Sequence, residues 1–190
     1  WDPFPEEISR RIVFRLADVA LCPGPEQAAY MRRYQLLALD TGGNTILDAV
    51  RLAAPKPAPP GSPRYVVASL HRFQNLYSAP RLRELIAMLE QVATHLPVHF
   101  VLHPATRKKL AGSGELTRLE SVPGIKLLPR LGYREFLTLA ANAACVLTDG
   151  GSNQEELSAL GVPTLVMRER TERSDGLGAN AMMEADVPGG

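Results

Sequence analysis

The stretch that most constrains this chain is Val146-Leu147-Thr148-Asp149-Gly150-Gly151-Ser152-Asn153-Gln154-Glu155-Glu156-Leu157. The apolar run from Ala143 to Leu147 reads as a buried strand. It breaks at Asp149-Gly150-Gly151, where glycines permit backbone torsions that other residues avoid. A helix is then expected, with Ser152 as N-cap and Glu155 three residues on, the S-x-x-E pattern of a capping box. It runs through Leu157 and Leu160 and stops at Gly161, a glycine suited to the C′ position. Strand, glycine turn and helix start aim backbone N–H groups and a positive dipole end at one spot, which suits an anion and above all a phosphate. An ordinary βα turn would use the same glycines, and capping alone accounts for Glu155. Glu156 is left over, and a carboxylate beside an anion hole suits the vicinal hydroxyls of a ribose. The residues therefore suggest a nucleotide diphosphate, with Gly150, Gly151 and Ser152 on phosphate and Glu156 on sugar.

Elsewhere the pattern alternates. Ile8, Ile12 and Leu16 give a helical stripe, Val19 to Cys22 a short strand, Pro25 to Met31 a helix and Leu36 to Leu39 a strand. Asp40-Thr41-Gly42-Gly43-Asn44-Thr45 is a second glycine turn, leading into a helix through Ile46, Leu47 and Val50. Pro55-Lys56-Pro57-Ala58-Pro59-Pro60-Gly61-Ser62-Pro63 cannot be regular structure and reads as a linker. Beyond it, strands are expected at Tyr65–Leu70, Val98–Leu102, Ile125–Leu128, Ala143–Leu147 and Thr164–Met167. Helices are expected from near Pro80 to Leu96, with Leu82, Leu85, Ile86, Leu89 and Val92 on one face, and from Arg134 to Ala141. Strands that are apolar throughout and alternate with helices argue an α/β fold with a doubly wound parallel sheet, covered on both faces. Such sheets bind ligands at the carboxyl ends of their strands. His71-Arg72, His103-Pro104, Arg130, Asp149-Gly150 and the 168–173 arginines all fall at those ends, so two histidines and several arginines converge with the anion turn.

Composition excludes several classes. The 21 basic against 20 acidic residues give no electrostatic case for nucleic acid or an anionic membrane. No apolar run approaches the roughly 18 residues of a membrane span, and no signal peptide is visible; a cytoplasmic location is the expectation. Cys22 and Cys145 sit among apolar residues and read as buried thiols. The two histidines lack a third ligand at supporting spacing, so no metal is expected. The chain starts at Trp1 and ends in Val187-Pro188-Gly189-Gly190, and is expected to be the later part of a longer polypeptide.

Pro3-Phe4-Pro5-Glu6-Glu7-Ile8, Leu70-His71-Arg72, Leu147 to Glu156 and Thr171-Glu172-Arg173, in that order and spacing, resemble the non-hydrolysing UDP-N-acetylglucosamine 2-epimerases. The resemblance runs from Asp2 to about Met183. It implies a two-lobed GT-B architecture binding a UDP-sugar in its cleft, with residues 1–54 ending the first lobe and crossing over, 55–63 as linker and 64–190 as a Rossmann-like UDP lobe. It implies inversion at C2 without metal, nicotinamide or other cofactor: UDP is eliminated anti across C1–C2 to give a 2-acetamidoglucal, then re-added from the other face. A base must abstract the C2 proton while the leaving diphosphate is stabilised. By motif, Glu6 matches the acid/base glutamate and His71 the essential histidine beside the diphosphate. Gly150, Gly151 and Ser152 match the phosphate turn, Glu156 the ribose glutamate, Arg173 the arginine of T-E-R and Phe136 an aromatic near the uracil. His103 joins the UDP-binding set at the same rim. The family is commonly a homodimer.

The chain departs from the family pattern in places. A-H-R-R-E-N is here Leu70-His71-Arg72-Phe73-Gln74-Asn75, in a region that bacterial members also use for allosteric UDP-sugar binding, and S-G-G is Gly150-Gly151-Ser152. These departures suggest a divergent member with a related UDP-sugar. Two further catalytic carboxylates of the family precede the P-F-P-E-E motif, so the chain alone is expected to be inactive. A hydrolysing epimerase or GT-B glycosyltransferase would share the nucleotide lobe, and a non-catalytic UDP-sugar sensor would fit the altered 70–75 stretch.

Overall fold

The structure, a computed structural model, describes residues 6–171 and 173–187, the side chain of Glu6 excepted. The chain divides into two compact units, one through Ala49 and one from Val50.

In the first unit, helix α1 (Glu6–Leu16) precedes a parallel strand pair, β1 (Val19–Cys22) and β2 (Leu37–Asp40), joined by α2 (Pro25–Met31). Pro25 stands at the start of α2, where its missing N–H costs nothing. A small core of Cys22, Ala28 and Met31 is completed by Phe14 and Tyr34, whose rings meet edge to face at 5.2 Å. Helix α3 (Ile46–Ala53) carries the chain across the boundary.

The second unit is a six-stranded parallel sheet in the order β5-β4-β3-β6-β7-β8. Its strands are β3 (Val66–Ser69), β4 (Val98–Val101), β5 (Ile125–Leu128), β6 (Cys145–Thr148), β7 (Thr164–Val166) and β8 (Ala181–Met183). The period-two alternation of a strand sorts its side chains onto two faces. Val66, Ala68, Val98, Phe100 and Leu147 join Leu82, Leu85, Ile86 and Leu89 of α5 (Ala79–Ala93) in the larger core. Leu110 of α6 (Pro104–Ser113) and Leu119 of α7 (Glu115–Glu120) belong to the same layer. Val67, Val101 and Val146 point the other way, onto Ala140 of α8 (Tyr133–Ala141) and Leu157 of α9 (Gly151–Leu160). Both faces are therefore buried, as the continuous apolar strands require.

The sheet grows outward in both directions from the β3–β6 pair, so the strand order reverses between β3 and β6. In doubly wound sheets that switch point opens a crevice at the strands' carboxyl ends. The residues that leave those two ends are His71-Arg72 and Asp149-Gly150-Gly151.

Four helices and strands are additional to the sequence expectations. Helix α4 (Phe73–Tyr77) follows His71-Arg72 directly, the basic 107–109 segment lies in α6, α7 follows it, and β8 extends the sheet. Residues 55–63 form no helix or strand, but Asn142 donates to the Lys56 carbonyl at 2.8 Å and so fixes them beside the end of α8. Gly161 ends α9 with φ +66° and ψ 22°, the left-handed cap expected of it.

Leu89 is 1% exposed at the centre of the larger core. Leu89→Ala is expected to cost about 2–5 kcal/mol, read as a lower urea midpoint. An unchanged midpoint would mean that this helix does not pack on the sheet as described.

Candidate functional site

The site is built on the two loops that leave the switch point. After β6 the backbone turns at Gly150, whose φ −83° and ψ 125° are open to any residue, and α9 starts at Gly151. The two glycines are thus needed for space and not for unusual torsions, which corrects the sequence argument. A Cβ on Gly150 would lie 3.1 Å from Cε1 of His71, and one on Gly151 would lie 2.6 Å from the guanidinium carbon of Arg173. Side-chain-free backbone lets the His71 ring and the Arg173 guanidinium close over the helix start.

The expected capping box is absent. Gly150 and not Ser152 is the N-cap, and it has no side chain to accept from the first turn. Ser152 is exposed in the first turn, and Glu155 turns to Arg173, Oε1 to Nε at 3.1 Å. Because the helix begins earlier than the S-x-x-E spacing implies, no side chain caps it. Uncapped first-turn N–H groups are the donors that an anion can use.

His71 is placed by Asp149. That carboxylate is fully buried. It accepts from the backbone N–H of His71 (2.9 Å to Oδ1), from the backbone N–H of Arg72 (2.9 Å to Oδ2) and from Nδ2 of Asn75 (2.9 Å to Oδ2). Nδ1 of His71 lies 3.3 Å from Oδ1. His103 caps α6 with its own side chain, Nδ1 accepting from Ala105 N–H at 3.4 Å. Its ring stands 5.7 Å from that of His71. Burial, with the neighbouring His71 and Arg130, lowers the pKa of His103 below the ordinary histidine value.

Arg173 is carried on a loop tied to α9 by Gln154, which is completely buried. Its Nε2 donates to the carbonyls of Arg173 (3.1 Å) and Asp175 (2.9 Å), and its Oε1 accepts from the Thr171 hydroxyl (3.0 Å). Glu156 is 6% exposed, and burial pushes its pKa up to about 7, opposed by the hydrogen bond from Tyr133 and aided by the charge of Glu155. The structure therefore brings His71, His103, Gly150, Gly151 and Arg173 together, with Glu156 further along α9 against Tyr133 of α8. Phe136, one turn on from Tyr133, packs against the Val50–Ala53–Leu137 cluster. Glu6 opens α1 in the first unit, and its side chain lies outside the described residues, as does Glu172.

Sequence reasoning did not find Asp149, Asn75, Gln154 or Tyr133 as site residues. Their signal was polarity at positions that the helical and strand patterns bury, which only the packing reveals. Among the described residues no group of three or more His, Cys, Asp or Glu could hold a metal ion, and no helix is long and apolar enough to cross a membrane.

An uncapped helix start, two histidines, an arginine and a buried carboxylate thus meet at the switch point of a doubly wound α/β lobe. The family profile for UDP-N-acetylglucosamine 2-epimerase matches residues 1–187, and the chain belongs to that family. A Methanococcus maripaludis UDP-N-acetylglucosamine 2-epimerase is 36% identical over 120 residues, covering 62% of this chain and 33% of that protein. A Thermotoga maritima protein described as a putative UDP-N-acetylglucosamine 2-epimerase is 27% identical, over 98% of this chain and 52% of its own length. The fold matches the crystal structure of the Methanocaldococcus jannaschii UDP-GlcNAc 2-epimerase in complex with UDP-GlcNAc and UDP. The TM-score is 0.78 at 27% identity, over 94% of this chain and 53% of that one. The chain thus spans a third to a half of the length of these relatives.

Because its folded-state pKa is about 7 against an ordinary 4.5, Glu156 holds its proton more tightly in the folded state. The associated stability is fully present below about pH 4.5 and is lost as pH rises through 7. Glu156→Gln, which removes this dependence, is expected to gain up to about 3 kcal/mol over the unmutated chain between pH 5 and pH 8. Urea melts at the two pH values check this; parallel stability curves would show that Glu156 is solvated.

Proposed function

We propose that this chain forms the UDP-binding part of an enzyme that inverts C2 of a UDP-N-acetylhexosamine, of the UDP-GlcNAc to UDP-ManNAc type. The observation that carries the reading is the placement of His71, Arg173 and the bare start of α9 at one switch point in a member of this family. The Methanocaldococcus jannaschii relative, solved with UDP-GlcNAc and UDP, supports the substrate class.

In this proposal the diphosphate lies over Gly150, Gly151 and Ser152, where first-turn N–H groups and the helix dipole meet its negative charge. His71, His103 and Arg173 flank it and stabilise the charge that develops as UDP leaves, when donors already in place are most effective. Glu156 accepts from the ribose hydroxyls. Doing so in its ionised form replaces burial's cost with two hydroxyl donors, so the buried carboxylate is poised for that ligand. Phe136 flanks the uracil. Glu6 is the acid/base group that exchanges the C2 proton, in company with first-lobe carboxylates of the intact polypeptide. The elimination breaks the C1–O bond and the C2–H bond, the electron pair of C2–H forming the C1–C2 double bond; re-addition of UDP with the proton on the opposite face completes the inversion. No cofactor is assigned a step. The proposal places the intact enzyme in the cytoplasm, as a homodimer.

UDP binding is within reach of this chain itself. Calorimetric titration is expected to give saturable binding that Glu156→Ala weakens by about 1–3 kcal/mol. No heat with the parent chain, or equal affinity in the variant, would contradict the assignment. For the reaction, the intact gene product incubated with UDP-GlcNAc in deuterated water should lose the C2 proton signal as the manno epimer appears. Stoichiometric free UDP and ManNAc would indicate the hydrolysing branch instead.

A further inference from the structure

A buried carboxylate is expensive unless its oxygens are fully engaged by donors. Asp149 meets that condition with two backbone N–H groups and Asn75, and it still has the Nδ1 edge of His71 at 3.3 Å. Asn75 is in turn immobilised. Its Nδ2 also donates to the Met167 carbonyl at 2.9 Å, and its Oδ1 accepts from Nε of Arg81 at 3.3 Å. Arg81 spends its other two nitrogens on Glu184 near the end of the described chain, NH1 to Oε1 at 2.9 Å and NH2 to Oε2. A single line of polar contacts therefore runs from Glu184 through Arg81, Asn75 and Asp149 to His71, joining the last segment of the unit to the switch point.

We propose that Asp149 is a positioning residue for His71, and that Asn75 and Arg81 hold it in place. Both Asp149 oxygens act as acceptors, from His71 N–H, Arg72 N–H and Asn75 Nδ2, so the imidazole nitrogen facing Oδ1 carries the hydrogen. His71 is then fixed with Nδ1–H on Asp149, and its Cε1 lies against Gly150. Nε2, on the far side of Cε1, is the nitrogen left for a ligand. It is a lone-pair acceptor when the ring is neutral and a donor when the ring is charged, so proton exchange with a bound molecule is confined to that one atom. The second tier keeps the carboxylate from rotating, the role that outer hydrogen bonds play for histidines at other polar sites. The identity of the ligand rests on the UDP reading above; the orientation of His71 does not.

The test uses the full 190-residue chain labelled with 15N at histidine. Long-range proton–nitrogen correlation near pH 8, with His71 assigned from a His71→Gln sample, reports the tautomer directly. The expected spectrum has His71 in the Nδ1–H form, and addition of UDP moves its Nε2 resonance. An Nε2–H spectrum in the free chain would overturn the proposal. An Nδ1–H spectrum that UDP leaves untouched would sustain the positioning role of Asp149 while sinking the UDP assignment. Asp149→Asn places an amide among donors and is expected to lose the Nδ1–H preference. Should it fail to fold, Arg81→Ala leaves the direct contact to His71 intact. That variant is expected to raise the Nε2–H population and to weaken UDP binding about three- to tenfold, the scale of one lost hydrogen bond, with partial recovery in Arg81→Lys. An Arg81→Ala sample with unchanged tautomer and affinity would remove Arg81 from the network.

Discussion

The Asp149 carboxylate is the constraint on which the site depends. It is fully buried at the end of β6, and the donors that make its burial tolerable come from the loop after β3. Satisfying its oxygens therefore forces the two switch-point loops into one arrangement. The same backbone hydrogen bonds that satisfy Asp149 turn the chain at His71-Arg72 and deliver it into α4. The site is in this sense a by-product of solving a desolvation problem: the cheapest way to bury the acid is to wrap the histidine loop around it.

A second constraint is the bareness of the α9 start. Gly150 offers no cap, Ser152 stands exposed, and Glu155 pairs with Arg173. A protein selected for helix stability alone would cap that end, gaining about 1 kcal/mol. Leaving it open while Gln154 binds the 171–175 loop across it concentrates positive potential from a helix end and a guanidinium at one place. Glu156 lies one helical turn below, its pKa raised by burial to about 7. In the proposed reading the helix start takes the diphosphate and Glu156 the ribose, which is why a nucleoside diphosphate is proposed and not a simple oxyanion.

Much of this was legible in the residues. Strand and helix order follow from apolar runs that alternate with amphipathic ones, and the doubly wound class follows from strands that are apolar on both faces. The turn after β6 and Glu156 stand out in the sequence because a strand–glycine–helix junction can suit an anion and Glu156 has no part in capping; their roles belong to the proposal. The reason given for the glycines was wrong. Their torsions are ordinary, and the need for them comes from His71 and Arg173, which are distant in sequence. The capping box is absent because the helix begins at Gly151, which puts Ser152 inside the first turn, and Glu155 pairs with Arg173 instead. Asn75, Gln154 and Arg81 were illegible because a polar residue on a helix is by default solvated, and only tertiary packing shows which ones are buried and aimed. Strand β8 was missed because Ala181-Met182-Met183 is too short to carry a period.

The central claim is that the bare start of α9, with His71 and Arg173 over it, is a diphosphate site. Backbone amide chemical shifts of the labelled chain during a UDP titration test it most directly. The account predicts that the amides of Gly150, Gly151 and Ser152 move furthest and together, saturating at one affinity, with those of His71 and Glu156 following the same curve. Shifts confined to other parts of the molecule, or a turn whose amides stay still at saturating UDP, would contradict it.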